Sequence, residues 1–398
     1  MTGSSMQEAK VVTGTALKEL ELIRSVLYTY LEEGKSFSLW RLPDQQERNV
    51  IICSHVIDID PETFSVEESH PGFLISPFRK TEKKLFLPAD IRLKISNGEI
   101  VQTAGTPLPE VLPVPGKLNF HLTPVPKPVV AQTDNHYQGL VAQCVVAIEN
   151  GMFEKVVPSR RQSFQVPDDI DILDVFERLC QQHPQALITL VSTPQTGTWM
   201  GASPELLVNV NSKFIFKTSS LASTQVYKSD TNLKTVLWNQ KEIEEQALVS
   251  RYIINNCFKK IRLREYEEHG PRTVRAGNLL HLKTDFSVDM AATDFMQLGT
   301  IMLRLLHPTS AVCGMPMEPA LKFLEEREGY DRELYTGYWG PVNVDQETHI
   351  YVNLRCMRAS HGEAILYAGA GVTIDSNPAL EWEETVNKMN TMRQVILS

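Results

Sequence analysis

Seven prolines fall between Pro107 and Pro128. Proline fixes φ and brings no backbone N–H, so this stretch belongs to neither a helix interior nor a sheet interior. It divides the chain into an N-terminal part at 1–106, a proline-rich connector at 107–131 and a C-terminal region at 132–398. An extended connector can also cross the surface of one large domain, so the boundary need not separate independent units. At 398 residues the chain has the length for one large domain or for two to three ordinary ones.

Upstream of the connector, Thr15 is placed to cap a helix in which Leu17, Leu20, Ile23, Leu27, Tyr30 and Leu31 recur at helical spacing until Gly34. Apolar runs at 37–42, 50–54 and 72–78 read as strands, and 91–101 reads as a hairpin turning at Asn97-Gly98. Downstream, Thr133-Asp134 opens an amphipathic helix that ends at Gly151, and a strand follows from Phe153 to Arg160. The pattern predicts further helices at about 171–182, 235–260, 293–306, 317–327 and 378–395. It predicts strands near 187–192, 205–210, 213–217, 350–357 and 364–369.

A formal charge of −9 with no basic stripe argues against a nucleic-acid binder. It also means that a small anionic ligand needs local cations or a metal to be held. No apolar run approaches the ~20 residues that cross a bilayer, and MTGSSMQEAK lacks the layout of a secretory signal. Six cysteines without a CxxC pair argue against structural zinc and fit reduced thiols. These features predict a cytoplasmic protein with no membrane segment.

Four groups of residues could carry chemistry. Lys155 sits among apolar neighbours in Phe153-Glu154-Lys155-Val156-Val157, where desolvation would favour a neutral amine able to act as a base. Glu205 follows Gly201-Ala202-Ser203-Pro204 at a turn-to-strand junction, where burial would let a carboxyl keep its proton. Glu245, and Glu381 and Glu384 with Lys388, lie on two distant helices, and carboxylates from two helices suffice for Mg²⁺. Arg355 can grip a carboxylate bidentately, while the glycines of Tyr367-Ala368-Gly369-Ala370-Gly371 admit an anion to backbone N–H groups. Taken singly, each has an ordinary reading as a strand lysine, a solvated glutamate, helix-surface ion pairs and a glycine turn.

In this order, however, the segments resemble the chorismate-utilising family, which includes the anthranilate, aminodeoxychorismate, isochorismate and salicylate synthases. The resemblance rests on Lys155-Val156-Val157-Pro158-Ser159-Arg160, Gly201-Ala202-Ser203-Pro204-Glu205-Leu206, residues 306–314 (LHPTSAVCG), residues 330–335 (YDRELY), Leu354-Arg355-Cys356, residues 367–372 (YAGAGV) and residues 381–385 (EWEET). It covers the chain from about residue 130 onward and implies an α+β fold, one large domain of antiparallel sheets flanked by helices. The lysine at 155 and the Leu306-His307-Pro308-Thr309 form are similar to the water-adding, isochorismate-forming branch. The resemblance then implies Lys155 as the base that activates water and Glu205 as the acid that protonates the departing hydroxyl. It implies Glu245 and Glu384 as ligands of a Mg²⁺ cofactor, with Arg355, Gly369, Lys388, Ala311 and Val312 binding the substrate, chorismate. No amidotransferase subunit is expected as a partner. Ser223 stands where the family usually has a glycine, so that position offers either a less close backbone approach or an added hydrogen-bond donor. A salicylate synthase, which uses the same lysine, a non-catalytic chorismate-binding protein, and an aminodeoxychorismate synthase are the competing readings. The product's destination, menaquinone or a siderophore, stays open.

Overall fold

Strands from both sides of the proline connector join the same two sheets in the computed structural model, which describes residues 11–12, 19–108, 117–129, 132–167, 170–227, 231–277 and 279–398. Ten strands form the first sheet, in the order 11–12, 99–104, 91–96, 48–53, 36–41, 187–193, 197–203, 356–360, 363–369 and 159–165. Nine form the second, in the order 267–276, 279–289, 215–226, 206–210, 348–352, 338–342, 72–76, 84–88 and 57–59. All pairings within the two sheets are antiparallel. A two-stranded ladder, Lys155–Val156 with Gly314–Met315, lies beside them.

Seven helices appear among the described residues: α1 (Glu19–Glu32), α2 (Asp134–Glu149), α3 (Ile172–Gln182), α4 (Gln240–Tyr252), α5 (Leu298–Leu306), α6 (Met317–Arg327) and α7 (Pro378–Leu397). The architecture is the expected α+β domain of antiparallel sheets flanked by helices. Because both faces of the central strands are covered, Leu187–Thr193 is buried at every position. Ile188 and Leu190 face the core under α1, α3 and α7, while Leu187 and Val191 face the opposite way, toward Trp40, Trp199 and Trp339 between the sheets.

Local signals explain most of the elements. Thr133 Oγ1 accepts from the His136 N–H to cap α2, and Asn97 and Gly98, both at positive φ, turn the 91–104 hairpin. The Thr15 cap and Leu17 lie outside the described residues. Helix α5 starts at Leu298 rather than 293, and the 235–260 helix is regular only over α4 before widening at Ile253–Phe258.

Two expected strands are broken. Phe153–Arg160 divides at Val157-Pro158, where proline cannot continue the ladder, and Ser159–Gln165 pairs with Glu363–Gly369 instead. The strand through Tyr351 stops at Val352 in the second sheet. The chain then passes Asn353-Leu354-Arg355, with Arg355 at φ +47°, and enters the first sheet at Cys356. The mirror crossing, from Ser203 in the first sheet to Leu206 in the second, passes through Pro204-Glu205. Glu205 and Arg355 therefore sit where the chain changes sheet, and Ala202 N–H donates to the Arg355 carbonyl (3.0 Å) to hold the crossings together.

The Val157-Pro158 break is fixed by a buried ion pair. Arg332 and Glu328 pair one turn apart, 2% and 3% exposed. Arg332 also donates to the Val157 carbonyl (2.7 Å) and the Val312 carbonyl (2.8 Å), while Glu328 accepts from the Ser159 N–H (2.8 Å) and hydroxyl (2.9 Å). Arg332→Met leaves Glu328 buried and uncompensated, so urea unfolding should show a loss of about 3–5 kcal/mol; a loss below about 1 kcal/mol would contradict this anchoring role.

Candidate active site

Lys155 is 1% exposed, and its Nζ donates to Glu245 Oε1 of α4 at 2.9 Å. Burial alone would raise the Glu245 carboxyl, but Lys155, then Lys388 and Lys241, outweigh it and hold the group below the ordinary carboxylate range. Gly371 backs onto this pair. A Cβ there would lie 2.6 Å from Glu245 Oε1 and 3.1 Å from Lys155 Cε, so only glycine leaves the contact undisturbed.

Glu205 is 3% exposed, and burial pushes its carboxyl up to about 7 against the opposing effects of the Thr309 hydroxyl, Lys155, Arg355 and Lys388. Thr309 Oγ1 donates to Glu205 Oε1 at 3.4 Å, from the loop that follows α5. A carboxyl balanced at that value keeps its proton near neutrality and can give it up, as a general acid must. The two groups are near enough for the Lys155 charge to act on the Glu205 carboxyl.

Helix α7 supplies the facing wall. Lys388 Nζ pairs with Glu384 Oε1 (2.6 Å) and donates to the Gly369 carbonyl (2.9 Å). The expected cluster of Glu381, Glu384 and Lys388 splits here. Glu381, 2% exposed, is held instead by Lys241 Nζ of α4 at 2.7 Å, which bridges the two carboxylate-bearing helices. The Arg355 side chain makes no hydrogen bond or ion pair among the described residues, yet its charge is felt at Glu205 and at His281. Val312 is buried in the core with its carbonyl taken by Arg332, and Ala311 is half-buried beside it. No hydrogen bond or ion pair among the described residues joins either of them to the Lys155–Glu245 pair.

Ser223 keeps the left-handed backbone that a glycine would favour, at φ +62°. Its one hydroxyl hydrogen goes to the Glu242 carbonyl (2.6 Å), which ties the strand to α4, while Glu245 Oε2 lies 3.4 Å from the same oxygen. The Ser223 carbonyl in turn accepts from His281 Nδ1 (2.7 Å). That bond fixes the tautomer: Nδ1 carries the hydrogen, and Nε2 is a buried acceptor with no partner. Burial, then Arg355, pulls His281 down to about 3, so the ring is neutral. His281 escapes sequence reasoning because a lone histidine in Leu279-Leu280-His281-Leu282 looks like any core histidine. The polar stretch Glu267–Ala276, with Pro271, hides the hairpin that carries it.

Residues 120–397 match the family described as chorismate binding enzyme. The chain belongs to that family. Among relatives of this chorismate-binding enzyme, isochorismate synthase EntC of Escherichia coli K12 is 29% identical over 263 residues, covering 65% of this chain and 66% of that protein. Isochorismate synthase DhbC of Bacillus subtilis is 28% identical over 284 residues, covering 69% of each. The salicylate biosynthesis isochorismate synthase of Pseudomonas aeruginosa is 30% identical over 272 residues, covering 67% of this chain and 56% of that one. The chain thus spans about two thirds of the length of the curated relatives it matches. The solved structure of MenF, the menaquinone-specific isochorismate synthase of Escherichia coli, superimposes with a TM-score of 0.75 at 20% identity, covering 98% of this chain and 94% of that one. Anthranilate synthase component I of Streptococcus pneumoniae gives 0.66 at 18% identity, covering 98% and 93%. These two likenesses show the fold.

The wall of this candidate site gives a direct prediction. Gly371→Ala should separate Lys155 from Glu245 and lower turnover of chorismate more than ten-fold, within the ~10²–10⁴-fold that a positioned acid or base contributes. Its circular dichroism should remain that of the folded protein, with a lowered melting temperature because Lys155 is left buried without its partner; undiminished turnover would show that the close approach is not needed.

Proposed function

We propose that the chain is an isochorismate synthase, adding water at C2 of chorismate with loss of the C4 hydroxyl. The observation that carries this reading is the enclosed pairing of roles: the Lys155 amine against Glu245, and a Glu205 carboxyl balanced at about 7. In this reading Lys155 first gives up to solvent the proton that pairs it with Glu245, and the neutral amine then takes a proton from water as the oxygen bonds to C2. The ring double bonds shift, and Glu205 protonates the C4 oxygen, which leaves as water. One water enters and one departs, so the reaction is an isomerisation and needs no redox partner. Ammonia plays no part, which is why no amidotransferase subunit is expected.

Glu245 and Glu384 are the proposed holders of Mg²⁺. The donor set fits it: a hard divalent ion takes one or two carboxylates and fills its remaining positions with water or substrate oxygens. Among the described residues no group of three or more His, Cys, Asp or Glu forms a preformed cage. Both carboxylates now hold lysines, Lys155 and Lys388, so loading a cation means exchanging those contacts. Mg²⁺ bound there would supply a charge sink for the ring carboxylate. Arg355, Lys388 and the Gly369 backbone, with Ala311 and Val312, are assigned to hold the substrate, and region 132–398 is the catalytic part of the fold. His281 Nε2 offers an acceptor to a substrate hydroxyl. Among the described residues no helix is long and apolar enough to cross a membrane, and a cytoplasmic location follows from this reading.

Lys155→Gln should lower kcat by about 10²–10⁴-fold in a protein of unchanged circular dichroism. In wild type the rate should fall as pH rises through about 7, because Glu205 must be protonated to act as the acid. EDTA should abolish turnover and Mg²⁺ restore it. Chorismate consumption followed by chromatography checks all three: a Lys155→Gln loss below ten-fold removes the base assignment, and full activity in EDTA removes the metal.

A further inference from the structure

A cavity of about 290 Å³ opens beside Arg355, at the end of α3 and under the 267–289 hairpin. Its lining contains two guanidinium groups, Arg275 and Arg355, and not one carboxylate. In a chain of net charge −9 this is a local reversal of sign. The rest of the lining is neutral, with the glutamine amides of Gln181, Gln182 and Gln185 around the rim. The carbonyl end of α3 is capped by Arg41, which donates to the carbonyls of Cys180 (3.3 Å), His183 (2.7 Å) and Pro184 (2.6 Å).

Arg275 is aimed by its surroundings. Its guanidinium lies 3.8 Å from the Tyr227 ring centroid, and its Nε donates to the Gly277 carbonyl at 2.7 Å. Gly277, at φ +61°, brings the hairpin tip onto His183, where any Cβ would meet the imidazole at 2.3 Å. Among the described residues, Arg275 has no carboxylate partner within ion-pair distance. The cavity shares Arg355 with the candidate site, and two other lining residues are chain neighbours of it: Pro204 precedes Glu205, and Thr391 lies one turn beyond Lys388 on α7. A second opening, against Glu245, is mixed in charge, with Glu154, Glu244 and Asp375 beside Lys241 and Arg251 in its lining.

We propose that the cavity between Arg275 and Arg355 is the mouth through which a dicarboxylate substrate enters, with Arg275 making the first carboxylate contact before Arg355 takes it inward. This rests on the isochorismate synthase reading for the substrate's identity, but the mouth itself needs only a dianion. Like-signed charge lining a concave entry raises the local concentration of an opposite charge and its arrival rate. A planar guanidinium holds a carboxylate with two parallel hydrogen bonds.

The experiment compares wild type, Arg275→Gln and Arg272→Gln. Arg272 is on the same hairpin but is paired with Asp285, so it controls for the loss of one charge. Arg275→Gln should lower kcat/KM for chorismate by about 3- to 10-fold at low salt, mostly through KM, and flatten its dependence on ionic strength. Arg272→Gln should do neither. Independently of turnover, chorismate should shield Arg275 from phenylglyoxal, read by peptide mass spectrometry in EDTA. Equal salt dependence in wild type and Arg275→Gln, or modification of Arg275 unaffected by chorismate, overturns the mouth. If the wild type proves unable to turn chorismate over, the functional reading fails while the shielding measurement still decides this one.

Discussion

Lys155 and Glu245 are joined at 2.9 Å in a place where the lysine is 1% exposed, and a buried lysine without such a partner would be costly. Everything around the pair serves to keep it there. Gly371 leaves room for it, Ser223 ties the neighbouring strand to α4 through the Glu242 carbonyl, and Lys241 ties α4 to α7 through Glu381. Arg332 holds the two segments, 157–158 and 312, that follow and face the Lys155 strand. Stability and chemistry are coupled here. The interactions that make the burial tolerable also set where the amine points.

The sheets contribute a second constraint. A strand that leaves one sheet for the other has to break its ladder, and the residues in the break are free to turn side chains into the space between layers. Glu205 occupies one such break and Arg355 the adjacent one, and the Ala202 N–H to Arg355 carbonyl bond locks them together. Ordinary alternation within either sheet would have sent these side chains into the apolar cores or out to solvent. The crossings are therefore the feature by which a largely apolar fold presents an acid and a guanidinium to one site.

Much of this was legible in the sequence where a local signal is strong. The start of α2 at Thr133 and the turn at Asn97-Gly98 follow from capping and turn chemistry, and the helical spacing expected at 317–327 is α6. The order along the chain of the segments holding Lys155, Glu205, Arg355, Gly369 and Glu384 marked the family, although no single position does so. What stayed hidden was non-local. Pairing decided that Phe153–Arg160 would serve two ladders, and only the fold could show that Glu381 answers Lys241 rather than Lys388. His281 gave no signal at all, because its role depends on a carbonyl 58 residues away.

The account's central claim is that water, activated at Lys155, becomes the new hydroxyl while the old one leaves. Turnover of chorismate by the purified protein with Mg²⁺ in H₂¹⁸O, followed by mass spectrometry and NMR of the product, tests it most directly. The account predicts isochorismate carrying one ¹⁸O at C2, with recovered chorismate labelled only through the reverse reaction. Isochorismate without label would contradict water as the nucleophile, and enzyme-dependent pyruvate with salicylate would contradict a reaction that stops at isochorismate.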